Sequence, residues 1–291
     1  MNSLDYVKWL LLSAIWGGSF LFMRIASPEF GPFVLIWLRV AIASLLLSPF
    51  LLRSRIRREL FENAGKMVVV GIFNAALPWC LLAFAILSLE AGFTSLLNAA
   101  TPIFAAILGY LWLKDPLTRW QITGLVIGLA GVMILVSNRF SLQNNSSSLA
   151  ILATLGATLS YGFISHFIKR NMSGISARAI TIGNLIAATL FLTPLMIFHL
   201  PETAPGMKAI FCAVGLGVLS TAVAFVLLFD ILAKAGATAT TTVTFVIPVF
   251  GILFGSIFLH EEVTLRMMLG MAVAFTGAAL TTKLFPRPAG A

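Results

Sequence analysis

Charged side chains are scarce: Asp, Glu, Lys and Arg together make up 10% of the 291 residues, against about 25% in a soluble domain. A water-facing surface for a chain of this length cannot be built from so few. Polar connections are short as well, the longest being Arg53 to Lys66 and Asn138 to Ser148, and neither is large enough to fold as a soluble domain. The only two cysteines, Cys80 and Cys212, lie inside apolar runs, where a thiol behaves as a small hydrophobe and offers no disulfide framework or metal spacing. The chain also lacks His-Glu-x-x-His, Gly-x-Ser-x-Gly and any carboxylate pair within an apolar run, so the usual means of intramembrane catalysis are missing. No enzyme, metal or cofactor is expected. The basic residues form no single stripe, which excludes nucleic acid as a partner.

What the chain has is apolar length, with 59% hydrophobic residues. Ten runs, approximately 7 to 26, 32 to 52, 66 to 87, 92 to 113, 120 to 137, 148 to 168, 178 to 199, 208 to 230, 238 to 259 and 266 to 284, are read as membrane spans. Each can cross a hydrocarbon layer about 30 Å thick as a helix, the element that satisfies its own backbone there. The predicted fold is an all-α integral membrane protein with ten transmembrane helices. The first run is kept as a mature span and not a signal peptide, because its leader sets Asp5 against a single Lys8. With both termini inside, 14 Lys and Arg fall on the cytoplasmic side and 4 outside, with Arg39 left within a span. That bias predicts a multi-pass protein of the cell (inner) membrane with cytoplasmic termini, and it accounts for the net charge of +9 as a topology signal with affinity for anionic lipid.

Sliding the chain against itself by 146 aligns Pro102 with Pro248, Leu113 with Leu259, Asp115 with Glu261, Thr118 with Thr264, Gly124 with Gly270 and Gly131 with Gly277. An offset of 145 aligns Trp16-Gly17 with Tyr161-Gly162, Arg39 with Asn184 and Pro49 with Pro194. Two five-helix halves, 1–144 and 145–291, are therefore expected. Five is odd, so the second half enters the membrane from the opposite side. Such inverted repeats provide two nearly equivalent packings, the basis of alternating access around a site near the midplane.

Ile15-Trp16-Gly17, Arg39, the stretch from Ala91 through Pro102, Leu113-Lys114-Asp115, and Gly124 with Gly131 are each echoed in the second half. Taken with ten spans and the repeat, this pattern resembles the drug/metabolite transporter superfamily, and within it the EamA-type exporters, over nearly the whole chain. The resemblance implies a ten-helix inverted-repeat fold around a central cavity and efflux of small metabolites, commonly amino acids. One departure is His260-Glu261-Glu262, where the first half has Lys114-Asp115-Pro116, so the two turns need not work alike.

Candidate residues follow from what a helix cannot do in lipid. Pro102 and Pro248 each remove the backbone bond to the carbonyl four residues earlier, those of Asn98 and Thr244, and are candidate hinges. Two broken helices would then present carbonyls and polar side chains to a substrate. The alternative, that Asn98 and Thr244 merely satisfy nearby backbone, is even for Asn98 and favoured for Thr244. Thr238, Thr240, Thr241 and Thr242, and the small residues of Gly251-xxx-Gly255, read mainly as helix packing. Trp16 matches Tyr161, and Trp79, after the third candidate hinge Pro78, matches Phe225. Aromatics at matched positions, with Asn74 as a further polar candidate, suit a small amphiphile with an apolar side chain and a compact polar end. Arg39 is the one ionisable residue deep in a span. It can pair with a substrate carboxylate, although bonds to carbonyls or snorkelling to the interface are the more ordinary outcomes. His166, His199, Glu90 and Asp230 fall near span ends, where solvation accounts for them.

No Asp or Glu stands near the middle of a span, so the usual proton relay is missing. Facilitated, gradient-driven movement of neutral or aromatic amino acids by alternating access is the expectation, with a small-molecule substrate and membrane lipids as the partners. A proton-coupled exporter of drugs, lipophilic cations or nucleosides, a channel and a scramblase stay open as alternatives.

Overall fold

The structure, a computed structural model, describes residues 3–137 and 145–281. Arg139, Lys283 and Arg287, and the side chains of Thr238, Thr240 and Thr241, lie outside the described residues. Every element described is helical: α1 (Ser3–Leu47), a 3-10 turn (Ser48–Leu52), α2 (Ser54–Glu62), α3 (Ala64–Val70), a π segment (Gly71–Ala76), α4 (Leu77–Ala85), α5 (Ala91–Asn98), α6 (Thr101–Leu113), α7 (Arg119–Val136), α8 (Asn145–Asn171), α9 (Ala177–Phe198), α10 (Met207–Gly217), a second π segment (Val218–Val223), α11 (Ala224–Leu259) and α12 (Leu265–Thr281). Eight stretches are long and apolar enough to cross a membrane, and Leu265–Thr281 is a shorter apolar helix. Together they make an all-helical membrane protein.

The first stretch, Ser3–Leu52, is more than twice the length that a bilayer requires. It is divided at Gly31, whose φ of 69° and ψ of 161° leave the helical region. Pro28 and Pro32 flank it, and only glycine adopts a positive φ there without strain. Nη1 of Arg39 lies 4.0 Å from the Met23 sulfur. Sixteen residues of straight helix would separate them by about 24 Å, so the two arms of α1 fold back on each other. α11 is divided in the same way at Gly236 (φ 77°), and Ala224 and Val243 on its two arms share one apolar cluster with Leu12.

The polar stretch from Arg53 to Lys66, read from sequence as a loop, folds as the amphipathic helix α2 running into α3. Ile56 on its apolar face is buried, and Glu59 turns to the start of α9. There the carboxylate accepts from the Ser176 backbone N–H at 3.0 Å and its hydroxyl at 2.6 Å, and from Arg55 Nε at 2.8 Å. These donors, the Ser176 hydroxyl first, hold the Glu59 carboxyl down at about 2.

α12 packs along α7 through backbone contact made possible by glycine. A Cβ added at Gly131 would meet the Ala274 backbone, and one at Gly277 would stand 2.2 Å from the Gly128 nitrogen. Small residues let helices approach where lipid offers no hydrophobic drive for association. Gly17 meets α11 at Phe250 in the same close fashion, and Gly162 meets α6 at Phe104 and Ala105.

Gly277→Leu should lower the unfolding midpoint in nanodiscs by the equivalent of about 2 kcal/mol or more, while Gly65→Ala, where nothing lies within 4 Å, should be neutral. Equal melting of the two variants would remove this contact from the account. For Glu59, a depressed folded pKa means its contribution is complete above the ordinary value of 4.5 and is lost as pH falls toward about 2. The gap in melting temperature between wild type and Glu59→Gln should therefore close across that window.

Candidate functional site

Arg39 lies midway along the second arm of α1, eight residues from Gly31 and eight from Leu47, hence about 12 Å from either end. It is 5% exposed. Its Nε donates to the Thr221 hydroxyl at 3.0 Å, and its guanidinium carbon sits 3.8 Å from the centroid of the Trp79 ring. Tyr161, half-buried on α8, adjoins Trp79 and lies within electrostatic reach of Arg39. Four elements thus converge: α1, α4, α8 and the second π segment.

Thr221 explains how that π segment serves the site. Its hydroxyl donates to the Leu216 carbonyl five residues back, at 2.8 Å, leaving the oxygen free to accept from Arg39. π segments are rare and cluster at functional positions. In the first π segment the Phe73 carbonyl would need a donor at Pro78, which has no N–H, and the Ser160 hydroxyl bonds it instead at 2.7 Å. Asn74 is half-buried in that segment, and Asn184, the residue matched to Arg39, has a buried amide oxygen with no hydrogen-bond partner.

The sequence candidates divide accordingly. Arg39, Trp79 and Tyr161 come together, and Arg39 meets neither carbonyls nor the interface, which corrects the ordinary expectation for it. Phe225 is half-buried on α11, at 6.3 Å from the ring of Phe229. Trp16 packs instead with the cluster of Leu12, Ala224 and Val243. Asn98 ends α5; its carbonyl accepts from the Thr101 hydroxyl at 2.8 Å, while its amide oxygen is buried without a partner. Thr244 is exposed on α11. Pro102 follows a real interruption between α5 and α6, and Pro78 lies in the first turn of α4. Pro248, in contrast, lies inside α11 without interrupting it. His166 is not merely solvated, since its Nε2 lies 2.7 Å from the Ala105 carbonyl in space that Gly109 leaves open. Asp230 pairs with Lys8 and, at 3.2 Å, with Lys234.

Two positions that hold these elements in place escaped the sequence reading. One is Thr221: the 146-residue offset pairs Asn74 with its neighbour Ser220, so no matched position marks Thr221. Glu261 is the other. Lys114 and His260 both take left-handed conformations (φ 57° and 55°), and their N–H groups donate to the Gly109 and Gly255 carbonyls. The turns are alike, but their carboxylates are not. Glu261 accepts from the N–H of Ala91 at 2.7 Å and of Gly92 at 2.9 Å, holding the first turn of α5. Asp115 is exposed and, among the described residues, its side chain has no partner.

A polytopic helical bundle with a buried cation, aromatic rings and amides at mid-span defines a class of protein that handles small molecules within the membrane. The family model described as the EamA-like transporter family matches residues 6–137 and again 148–283. The chain belongs to the EamA-like transporter family, part of the drug/metabolite transporter superfamily, and is a transporter, not an enzyme. It is similar to the uncharacterized transporter YoaV of Bacillus subtilis, 24% identical over 280 residues covering 95% of this chain and 96% of that one. It is also similar to a probable amino-acid metabolite efflux pump of Escherichia coli, at 22% identity over 95% and 94% of the two chains. A probable terminal-alkyne amino-acid exporter of Streptantibioticus cattleyicolor is 23% identical over 96% and 94%. One solved crystal structure superposes with a TM-score of 0.66 at 18% identity over 98% of each chain, a likeness of fold.

Removing the carboxylate that holds α5 should loosen that end alone. Glu261→Ala is expected to lower hydrogen-exchange protection at residues 91–95 by about tenfold, the scale of a lost helix cap, with α7 and α12 unchanged. Unaltered protection at 91–95 would show that the carboxylate does not hold the turn.

Proposed function

We propose that the protein is a facilitative carrier of small metabolites, neutral or aromatic amino acids foremost, that works by alternating access between two inverted five-helix halves, residues 1–144 and 145–291. The observation that carries this reading is the convergence of Arg39, Trp79, Tyr161 and Thr221 at mid-span, drawn from both halves. Supporting it, dividing α1 at Gly31 and adding Leu265–Thr281 to the apolar stretches makes ten crossings. Contacts recur at matched positions: Gly131 against Ala274 and Gly277 against Gly128, Gly17 against Phe250 and Gly162 against Phe104. Relatives named for export of amino acids or their metabolites point to the substrate class.

The two matched turns serve as latches in this reading. With cytoplasmic termini Glu261 is outside and Asp115 inside, so the engaged Glu261 closes the outer face while the exposed Asp115 leaves the inner face open. Substrate would enter beside Asn98, Asn74, Trp16 and Phe225 and leave after the latches exchange. Pro78, Pro102 and Pro248 are the positions where α4, α6 and α11 would flex. No carboxylate is placed to carry a proton with the substrate, which favours movement down the substrate's own gradient.

Purified protein in proteoliposomes without any ion gradient should take up radiolabelled neutral and aromatic amino acids with saturation, and unlabelled analogues should compete. Absence of saturable uptake would remove amino acids as the substrate, and uphill accumulation driven by an imposed pH gradient would replace facilitation with proton coupling.

A further inference from the structure

We infer that Arg39 is the seat of a negatively charged group on the transported molecule, so that the substrates are apolar or aromatic monocarboxylates whose amino group is tolerated but not required. The inference rests on the carrier reading above and deepens it. A guanidinium has five N–H donors and does not lose its charge in a protein. Around Arg39 the acceptors are one hydroxyl, Thr221 Oγ1 at 3.0 Å, and one weak thioether, Met23 at 4.0 Å. The Trp79 face at 3.8 Å offsets part of the charge but takes none of the N–H groups that point along the edge of the guanidinium. No carboxylate pairs with it among the described residues.

Arg24, on the other arm of the same helix, shows what a structural arginine looks like here. Its Nη1 donates to the carbonyls of Ile86 and Leu87, at 2.5 and 3.1 Å, closing the exposed end of α4. Asp230 on α11 is likewise paired, with Lys8 and Lys234. Among the described residues, Arg39 is a buried basic side chain without a carboxylate partner. Such a group is costly in a low-dielectric interior, and the same low dielectric makes it a strong receptor for one anionic group. A carboxylate matches it because two parallel N–H donors meet two oxygens. Tyr161, half-buried beside Trp79, carries a hydroxyl that can act as a second donor. The rings of Trp79 and Tyr161 suit an apolar or aromatic body attached to that carboxylate. One guanidinium neutralises one negative charge, which disfavours dicarboxylates, lipophilic cations and uncharged nucleosides.

The test compares three ligands on the full-length protein in nanodiscs: phenylalanine, phenethylamine, which lacks the carboxylate, and 3-phenylpropionate, which lacks the amine. Binding is read as the shift of the thermal unfolding midpoint over a concentration series in chloride-free buffer. Phenylalanine and 3-phenylpropionate should bind and phenethylamine should not. Arg39→Gln should weaken both acids by about tenfold or more, the scale of a charged hydrogen bond, and Arg39→Lys should recover part of the loss, with melting in the absence of ligand showing that both variants fold. Binding of phenethylamine as tight as phenylalanine, or acid binding unchanged in Arg39→Gln, would overturn the inference and leave the carrier reading standing. Protection by chloride alone, with the acids ineffective, would assign Arg39 to an inorganic anion and overturn it as well. If none of the three organic ligands binds, the amino-acid reading falls and the inference with it. The comparison of acid and amine on wild type decides the matter even should the Gln variant not fold.

Discussion

In hydrocarbon a backbone N–H or C=O without a partner has no water to turn to, and this structure answers several interruptions of its helices with a side chain. The Phe73 carbonyl, stranded by Pro78, is taken by Ser160 from α8. Asn98, at the end of α5, has its carbonyl closed by Thr101. The open amides at the starts of α5, α9 and α10 are met by Glu261, Glu59 and Glu29 respectively. Arg24 closes the far end of α4. Most of these partners come from another element, so the groups that satisfy the breaks also tie the bundle together. A bond of this kind can be exchanged for another without unfolding a helix, which is what a conformational switch needs.

The second requirement is proximity. Helices in lipid gain no hydrophobic energy by meeting, and the close crossings here are made at residues with no side chain to obstruct them: Gly17, Gly162, and the Gly124, Gly128, Gly131 and Gly277 face shared by α7 and α12. Gly217, the residue before the second π segment, meets Ile42 of α1 in the same close fashion, and Thr221 four residues on reaches Arg39. The charge is accepted in the interior because the surrounding packing holds a ring and a hydroxyl against it.

Much of this was legible beforehand because membrane solvent imposes simple rules. Apolar runs predicted the helices to within a few residues, as with 178 to 199 against Ala177–Phe198, whereas the matched Trp16-Gly17 and Tyr161-Gly162 pairs, read for their aromatics, carry glycines at close crossings. The Asp115 and Glu261 turns were recognised as related, and their backbone is indeed alike. Where the reading failed, the missing information was register or long-range contact. A helix of nine residues with one buried apolar side chain, α2, carries too short a period to distinguish from a loop. Pro248 has the same chemistry as Pro102, yet only Pro102 follows an interruption; proline removes one bond and the packing decides whether the helix parts. Arg39 could be seen to be deep, but not that its neighbours would be a ring, a hydroxyl and a thioether in place of carbonyls. Those partners come from residues 23, 79 and 221, and no local pattern links them.

The matched positions differ most where chemistry is at stake. Arg39 corresponds to Asn184, so the polar place on one side holds a guanidinium while its counterpart holds an amide. Both Arg39 and Asn184 are buried, at 5% and 1% exposure. Had each carried a charge, a second buried cation would have added its own desolvation cost to the interior. A single charge avoids that. The neutral amide keeps its place polar without a charge, and one guanidinium confines strong electrostatic attraction to one position. A repeated sequence can thus keep matched buried polar positions, Arg39 and Asn184, while charging only one of them.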